Sequence, residues 1–312
     1  MPLFFKNVAV LAKTEVTYGT DPVPTGALNA ILTKGATPQP LLGNRVTRDL
    51  DRSTWGAQSE INTGPYVTVS FSVEIAGGGA AGTAPKYGPL LLACGMAETT
   101  NAGVSVVYSP ASTALKSCTI YYYVDGQQHI IKGARGNVSI NMQRGQIPTF
   151  DFQFTGLYTR PTVVANPALT LTSFQAPVAV TKTNTPTFSL HSYSAFCEAF
   201  TVDYGNQIVY RNLIGAETVE LTDRNVRGSV TIEAPAIGTK DYFAAAEAHA
   251  GITLSTVQLI HGTTAGNIVQ FDGPKVQLGG PTVGNSDGIV TYTMDTIYTA
   301  NASNDELVIT VK

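Results

Sequence analysis

Two stretches of strictly alternating polar and apolar residues constrain this chain more than anything else in it. Residues 66–75 read YVTVSFSVEI and are followed by a helix-like run, KYGPLLLACG (86–95). Residues 228–235, GSVTIEAP, alternate in the same way and are followed by KDYFAAAEAHAG (240–251). A period of two marks a half-buried strand. Further alternating strands follow each helix: 118–126, 137–143 and 149–161 in the first half, then 253–262, 274–278 and 288–300 in the second. The order is strand, lone helix, several strands, in both halves. Repetition on this scale points to duplication of one unit, a plan suited to assembly more than to catalysis.

Composition narrows the function. Only 13% of residues are charged, and the formal net charge is −3. A free monomer usually carries more charge, so much of the surface is expected to contact protein. No basic stripe stands opposite a phosphate backbone, which argues against tight nucleic-acid binding. Cys94, Cys118 and Cys197 are odd in number and widely spaced, which implies no disulfide framework and a reduced, cytosolic setting. The start, MPLFFKNVAVLAKTE, lacks a basic n-region and is read as no signal peptide. No apolar run reaches the roughly 18 residues of a membrane span.

Residues 7–13 and 307–312 read as strands, and 15–35 holds a short run that is either helical or extended. Residues 36–65 read as a long irregular segment with six charged residues and the one tryptophan, Trp55. A loop that long is functional or ordered by a partner. The second copy has a shorter counterpart at 206–226, and the first carries extra residues at 96–117. Residues 161–186, rich in Pro, Thr and Ala, read as a linker or arm.

Enzyme-like motifs have plainer readings. GGGAAG (77–82) fits G-x-G-x-x-G, but the strand before it alternates, and the second copy has no such fingerprint. It reads as a strand-to-helix loop. GNSDG (284–288) lies between two strands, so Ser286 belongs to a turn and not to a nucleophile elbow. His129, His191, His249 and His261 show no metal-ligand spacing. No catalytic, cofactor or metal residues are assigned.

The strand faces carry more. Val67, Val69, Phe71, Val73 and Ile75 oppose Thr68, Ser70, Ser72 and Glu74. Phe150, Phe152 and Phe154 oppose Asp151 and Gln153, and Val138, Ile140 and Met142 oppose Asn137, Ser139 and Asn141. In the second half, Val230 and Ile232 oppose Thr231 and Glu233, and Val290, Tyr292 and Met294 oppose Thr291, Thr293 and Asp295. Each half is expected to hold a sheet with one apolar face and one small, polar, mildly acidic, Lys-poor face.

Residues 10–32 (VLAKTEVTYGTDPVPTGALNAIL), 70–95 (SFSVEIAGGGAAGTAPKYGPLLLACG), 108–112 (YSPAS) and 129–161, in that order, resemble the tail tube (major tail) proteins of long-tailed bacteriophages. The second half resembles them mainly in element order. The resemblance implies a mainly β fold of two tandem β-sandwich or partial-barrel domains, each with one flanking helix: 1–165, a linker or arm at 166–186, and 187–312. It implies a structural virion protein, not an enzyme, assembled in the host cytoplasm into stacked rings that form a channel for DNA ejection. The alternative is another self-assembling β-sandwich of pilus or surface-layer type.

On this reading Glu74, Asp151, Glu233, Asp295, Asn137, Ser139, Asn141, Gln153, Thr291 and Thr293 face the lumen. Residues 38–65, through Leu41, Leu42, Val46 and Trp55, stack one ring on the next. Tube rings in this family present six domains, so two per chain implies a trimeric, pseudo-hexameric ring; hexameric rings are the alternative. The implied partners are further copies of the chain and the tape-measure, terminator and tip proteins. DNA would pass in transit without tight binding, and no membrane or cofactor is involved.

Overall fold

The computed structural model describes residues 2–249 and 251–312. Among the described residues the chain is mainly β, with two short helices. The first half holds β1 (Val8–Thr14), β2 (Ala30–Ile31), β3 (Lys34–Thr47), β4 (Glu60–Glu74), α1 (Gly88–Ala93), β5 (Met96–Asn101), β6 (Ser105–Pro110), β7 (Cys118–Val124), β8 (Gln127–Gln143), β9 (Thr149–Leu157) and β10 (Thr162–Val163). The second half holds β11 (Thr187–Leu190), β12 (Tyr193–Ser194), β13 (Cys197–Asp203), β14 (Asn206–Leu213), β15 (Ala216–Arg224), β16 (Arg227–Glu233), α2 (Tyr242–Ala246), β17 (Ser255–His261), β18 (Val269–Leu278), β19 (Thr282–Ser286), β20 (Ile289–Thr299) and β21 (Val308–Val311).

The two halves repeat one pairing scheme. In the first, β3 pairs with β4, β4 with β9, and β9 with the later part of β8, whose earlier part pairs with β7. β7 then pairs with β1, and β1 with β2. In the second, β13 pairs with β16, and β16 with β20. β20 pairs with the later part of β18, whose earlier part pairs with β17. β17 then pairs with β11, and β11 with β12. β19 continues the edge of β18 along β20, interrupted at Gly279–Pro281. β8 and β18 thus each pass from one sheet to the other. Two hairpins close on Asp125–Gly126 and Asp287–Gly288, both residues at positive φ. Asp-Gly is the pair that a two-residue turn matching the strand twist needs.

The halves are fused. β8 pairs with β13 along Ser139–Gln143. β21 pairs with β6, so the 96–117 insertion, as the β5–β6 hairpin, extends a second-half sheet. One apolar core runs through both, with Phe71, Phe150, Phe152, Phe154, Leu90 and Leu91 from the first half and Phe200, Ile232, Val257 and Phe271 from the second. Phe150 of the first half meets Phe271 of the second at 6.2 Å between ring centroids, and Phe271 in turn meets Phe200 at 6.3 Å. Each such ring contributes about 1.5–3 kcal/mol by burial. Residues 166–186 hold no strand, but Phe174 and Val180 pack on this core, and Val180 exchanges backbone hydrogen bonds with Gly145 and Gln146.

Several sequence expectations need correction. Residues 36–65 are not irregular: 34–47 and 60–74 form one long antiparallel hairpin, and only 48–59 lacks strand structure. The strands are exposed on both faces beyond Tyr66, so no apolar period marks them, and three register shifts break the pattern further. Of the two readings left open for 15–35, residues 30–31 take the extended one. β13 and β14 are separated at Tyr204–Gly205, where the chain leaves the long sheet to form the separate β14–β15 hairpin. Val290, expected to be inward, is half exposed, because the β19–β20 tip extends past the core.

Candidate functional site: one polar face across both halves

The strands β3, β4, β9, β8, β13, β16, β20 and β19 form one continuous sheet. Directly opposed residues of antiparallel strands point to the same side. The register therefore fixes which side chains share a face. One row runs Glu74, Thr149, Asn141, Thr201, Ser229, Asp295. The next runs Lys34, Ser72, Asp151, Ser139, Asp203, Arg227. Others place Ser70 beside Gln153 and Asn137, and Thr231 beside Thr293, whose hydroxyls lie 3.0 Å apart. A last pair sets Glu233 against Thr291. The alternate residues, Val69, Phe71, Val73, Phe152, Ile140, Val202, Val230 and Met294, are buried on the other side.

All ten residues expected on a polar face lie on this one: Glu74, Asp151, Glu233, Asp295, Asn137, Ser139, Asn141, Gln153, Thr291 and Thr293. Thr291 alone is buried, at 4% exposure. It sits between Glu233 and Gly284, near the tip of β19–β20. That tip is held by Arg144, which pairs with Glu198 and Asp287, and by the Ser286 hydroxyl, which donates to Glu198 at 2.8 Å.

Sequence reasoning missed Asp203 and Arg227 on the same face. Asp203 accepts from the Asn137 side chain at 2.5 Å across the junction of the halves. Acids on the face are Glu74, Asp151, Asp203, Glu233 and Asp295, against Lys34, Lys132, Arg135 and Arg227. Arg135, opposite Thr155 and so on the same side, is engaged by the β14–β15 hairpin: it pairs with Glu220, donates to the Val219 carbonyl and stacks over Tyr18.

Two hairpins leave the sheet. Leu41, Val46 and Trp55 are exposed on the 34–74 hairpin, with Trp55 fully so, while Leu42 is half-buried. The β14–β15 hairpin lies against β8 and β9 with the Tyr210 and Tyr66 rings 4.9 Å apart and tilted by 31°, and its tip exposes Leu213 and Ile214.

The remaining motifs are structural. The amides of Gly77 and Gly79 are consumed by Asn267 Oδ1 and the Gly266 carbonyl, at 2.6 and 2.8 Å. A Cβ on Gly77 would meet the Gly266 carbonyl oxygen at 2.1 Å. The glycines let two backbones touch, which leaves no amide nest for a phosphate. Ser286 lies on β19, next to a turn. His191 and His261 are buried, with ring nitrogens bonded to the Val276 and Val178 carbonyls. Burial pushes the Cys94 and Cys118 thiols up, away from nucleophilic character. Among the described residues, no group of His, Cys, Asp and Glu could hold a metal ion, and no helix is long and apolar enough to cross a membrane.

One polar sheet face thus runs across both halves of the chain. The family model for the phage tail tube protein matches residues 6–303. The chain belongs to that family. Tail tube proteins are structural, non-enzymatic virion components that assemble into the tube of the tail. No curated protein matches the chain.

Proposed function

We infer that three copies of this tail tube subunit close into a pseudo-hexameric ring, that rings stack into a tube, and that the polar face lines the channel through which DNA is ejected. Each chain supplies two tube domains, residues 1–165 and 187–312, joined by 166–186. The observation that carries this reading is the β8·β13 junction, across which two equivalent sheets merge with their polar faces in one surface. A ring made of such pairs repeats six similar sheets from three chains. Small hydroxyl and amide side chains offer DNA no strong hold. The excess of Glu and Asp over Lys and Arg repels phosphates within a Debye length of roughly 8–10 Å, so DNA slides without binding.

The 38–65 arm is the inter-ring contact, because it exposes Leu41, Val46 and Trp55 beyond the body of the sheet. The 206–226 hairpin is its shorter counterpart. The tape-measure protein occupies the channel during assembly, and terminator and tip proteins cap the ends. Cryo-electron microscopy of tubes without imposed symmetry tests the whole reading. Three chains per ring with Glu74 and Glu233 on the channel wall are expected. Six chains per ring, or these side chains on the outer surface, overturn it.

A further inference from the structure

The internal junction also specifies how separate copies join. Glu74 ends β4 opposite Thr149, and Glu233 ends β16 opposite Thr291. Superposing these pairs makes Ser139 and Asn141 of β8 equivalent to Thr282 and Gly284 of β19. It likewise makes Thr201 and Asp203 of β13 equivalent to Thr37 and Gln39 of β3. In the chain, β8 and β13 are paired. Their counterparts, β19 and β3, each have one edge with no strand on it among the described residues.

We propose that β19 of one copy pairs antiparallel with β3 of the next in the register of the internal junction, with Thr282 opposite Gln39, Val283 opposite Pro38 and Gly284 opposite Thr37. This rests on the reading of the chain as a ring-forming tube subunit, and it fixes which edges meet and in what register.

Two observations support this occupant. Val283, 64% exposed, is an apolar residue at a bare edge, and the seam sets it against Pro38. The second is the placement of Pro38 itself. The bonds from Tyr204 N to Val138 O and from Arg144 N to Glu198 O bracket the internal ladder. They leave Ile140–Val202 and Met142–Phe200 as the pairs that exchange backbone bonds. Pro38 is equivalent to Val202, so its nitrogen, which carries no hydrogen, faces the free side. The Pro38 carbonyl accepts the Val283 N–H, but Pro38 donates nothing in return. A proline on an exposed edge suppresses pairing of that edge with itself or with stray strands. A β19 partner keeps one bond of that pair, Val283 N–H to the Pro38 carbonyl, whereas a second β3 with Pro38 opposite Pro38 would keep neither, so the seam favours β19.

Disulfide trapping in assembled tubes tests the register. Opposed cross-strand Cβ atoms lie about 4.5–5.5 Å apart and diagonal ones about 7–8 Å, which separates bridgeable from unbridgeable pairs. The double variant Gln39→Cys/Thr282→Cys should form chain-to-chain disulfides on mild oxidation, on the order of tenfold more than the shifted pair Thr37→Cys/Thr282→Cys. Wild-type tubes report the background from Cys197. Tubes in which the shifted pair cross-links instead, or neither pair does, overturn the seam and leave the ring reading standing. Failure of wild-type protein to form tubes removes the ring reading and the seam with it. Should the variants not assemble, hydrogen exchange on wild-type tubes decides. The amides of Val283 and Asn285 must become protected relative to the free protomer, and unchanged exchange overturns the seam.

Discussion

Glu15 is the residue whose loss should most disturb the protomer without touching any surface. It is 4% exposed, and its carboxylate accepts four hydrogen bonds. Oε1 takes the Thr119 hydroxyl at 2.6 Å and the Gly133 amide at 2.7 Å; Oε2 takes the Ser117 hydroxyl at 2.6 Å and the Gly19 amide at 2.8 Å. It thereby ties the end of β1 to the start of β7 and to the bend at which β8 changes sheets. Glu15→Gln keeps the shape but turns one oxygen into an NH2 group. The facing hydroxyl can rotate to accept, whereas the facing backbone N–H cannot. A stranded buried N–H costs about 1–3 kcal/mol, and the two surviving bonds lose charge assistance worth about 1 kcal/mol each. Relief of the buried charge offsets part of this, which leaves a net loss of about 2–4 kcal/mol. Urea unfolding of purified protomer should show the midpoint fall with the slope unchanged. Glu60→Gln, whose exposed partner Arg45 lies 3.8 Å away, is the control and should cost at most about 0.5 kcal/mol. A loss below about 1 kcal/mol for Glu15→Gln would refute the assignment of these four bonds as a structural tie.

Four further outcomes are expected. Glu74→Lys/Glu233→Lys should fold and assemble but slow DNA ejection, with the delay shrinking as salt rises; ejection at the wild-type rate in low salt would mean that the polar face does not meet DNA. Deleting 44–60 should give soluble protomers of unchanged thermal stability that form no tubes by negative-stain microscopy, and normal tubes would refute the arm assignment. Gly77→Ala should cost about 1–3 kcal/mol or more in chemical denaturation, since its methyl meets backbone at 2.1 Å and no side chain can yield. His191 and His261 have pKa values lowered chiefly by burial, so the folded state prefers them neutral. Their contribution is complete above the unfolded value of about 6.5 and is lost as pH falls through the lower folded values, with a slope of up to about 1.4 kcal/mol per pH unit for each. His191→Gln/His261→Gln should flatten that acid limb of the stability profile, and an unchanged slope would mean that neither histidine sets it.

The polar face was legible in the sequence because one buried side forces a period of two. Phe150, Phe152 and Phe154 are buried, so Asp151 and Gln153 between them had to point the other way. Where neither side is buried, the period disappears: 36–65 is mostly a hairpin, yet half-buried Pro38 and exposed Pro40 and Gly43 read as loop. Asp203 and Arg227 were missed for a different reason. Both stand at the ends of their strands, beside Gly205 and Gly228, where alternation had too few residues to declare itself. Glu15 gave no signal at all, since its four donors come from three separate stretches of chain that only folding brings together. The break between β13 and β14 does have a local signal in Gly205, which the structure holds at φ +63°.

The pairing of β6 with β21 sets an order on folding. During synthesis the β5–β6 hairpin emerges early, yet Tyr108 and Val106 find their partners Ile309 and Val311 only after the whole second half has followed. Contacts so distant in sequence form slowly. Until they do, the first half carries an open strand edge of the kind that templates misassembly. The halves complete one another's sheets, β6 with β21 and β8 with β13, and either half expressed without the other would leave such an edge bare.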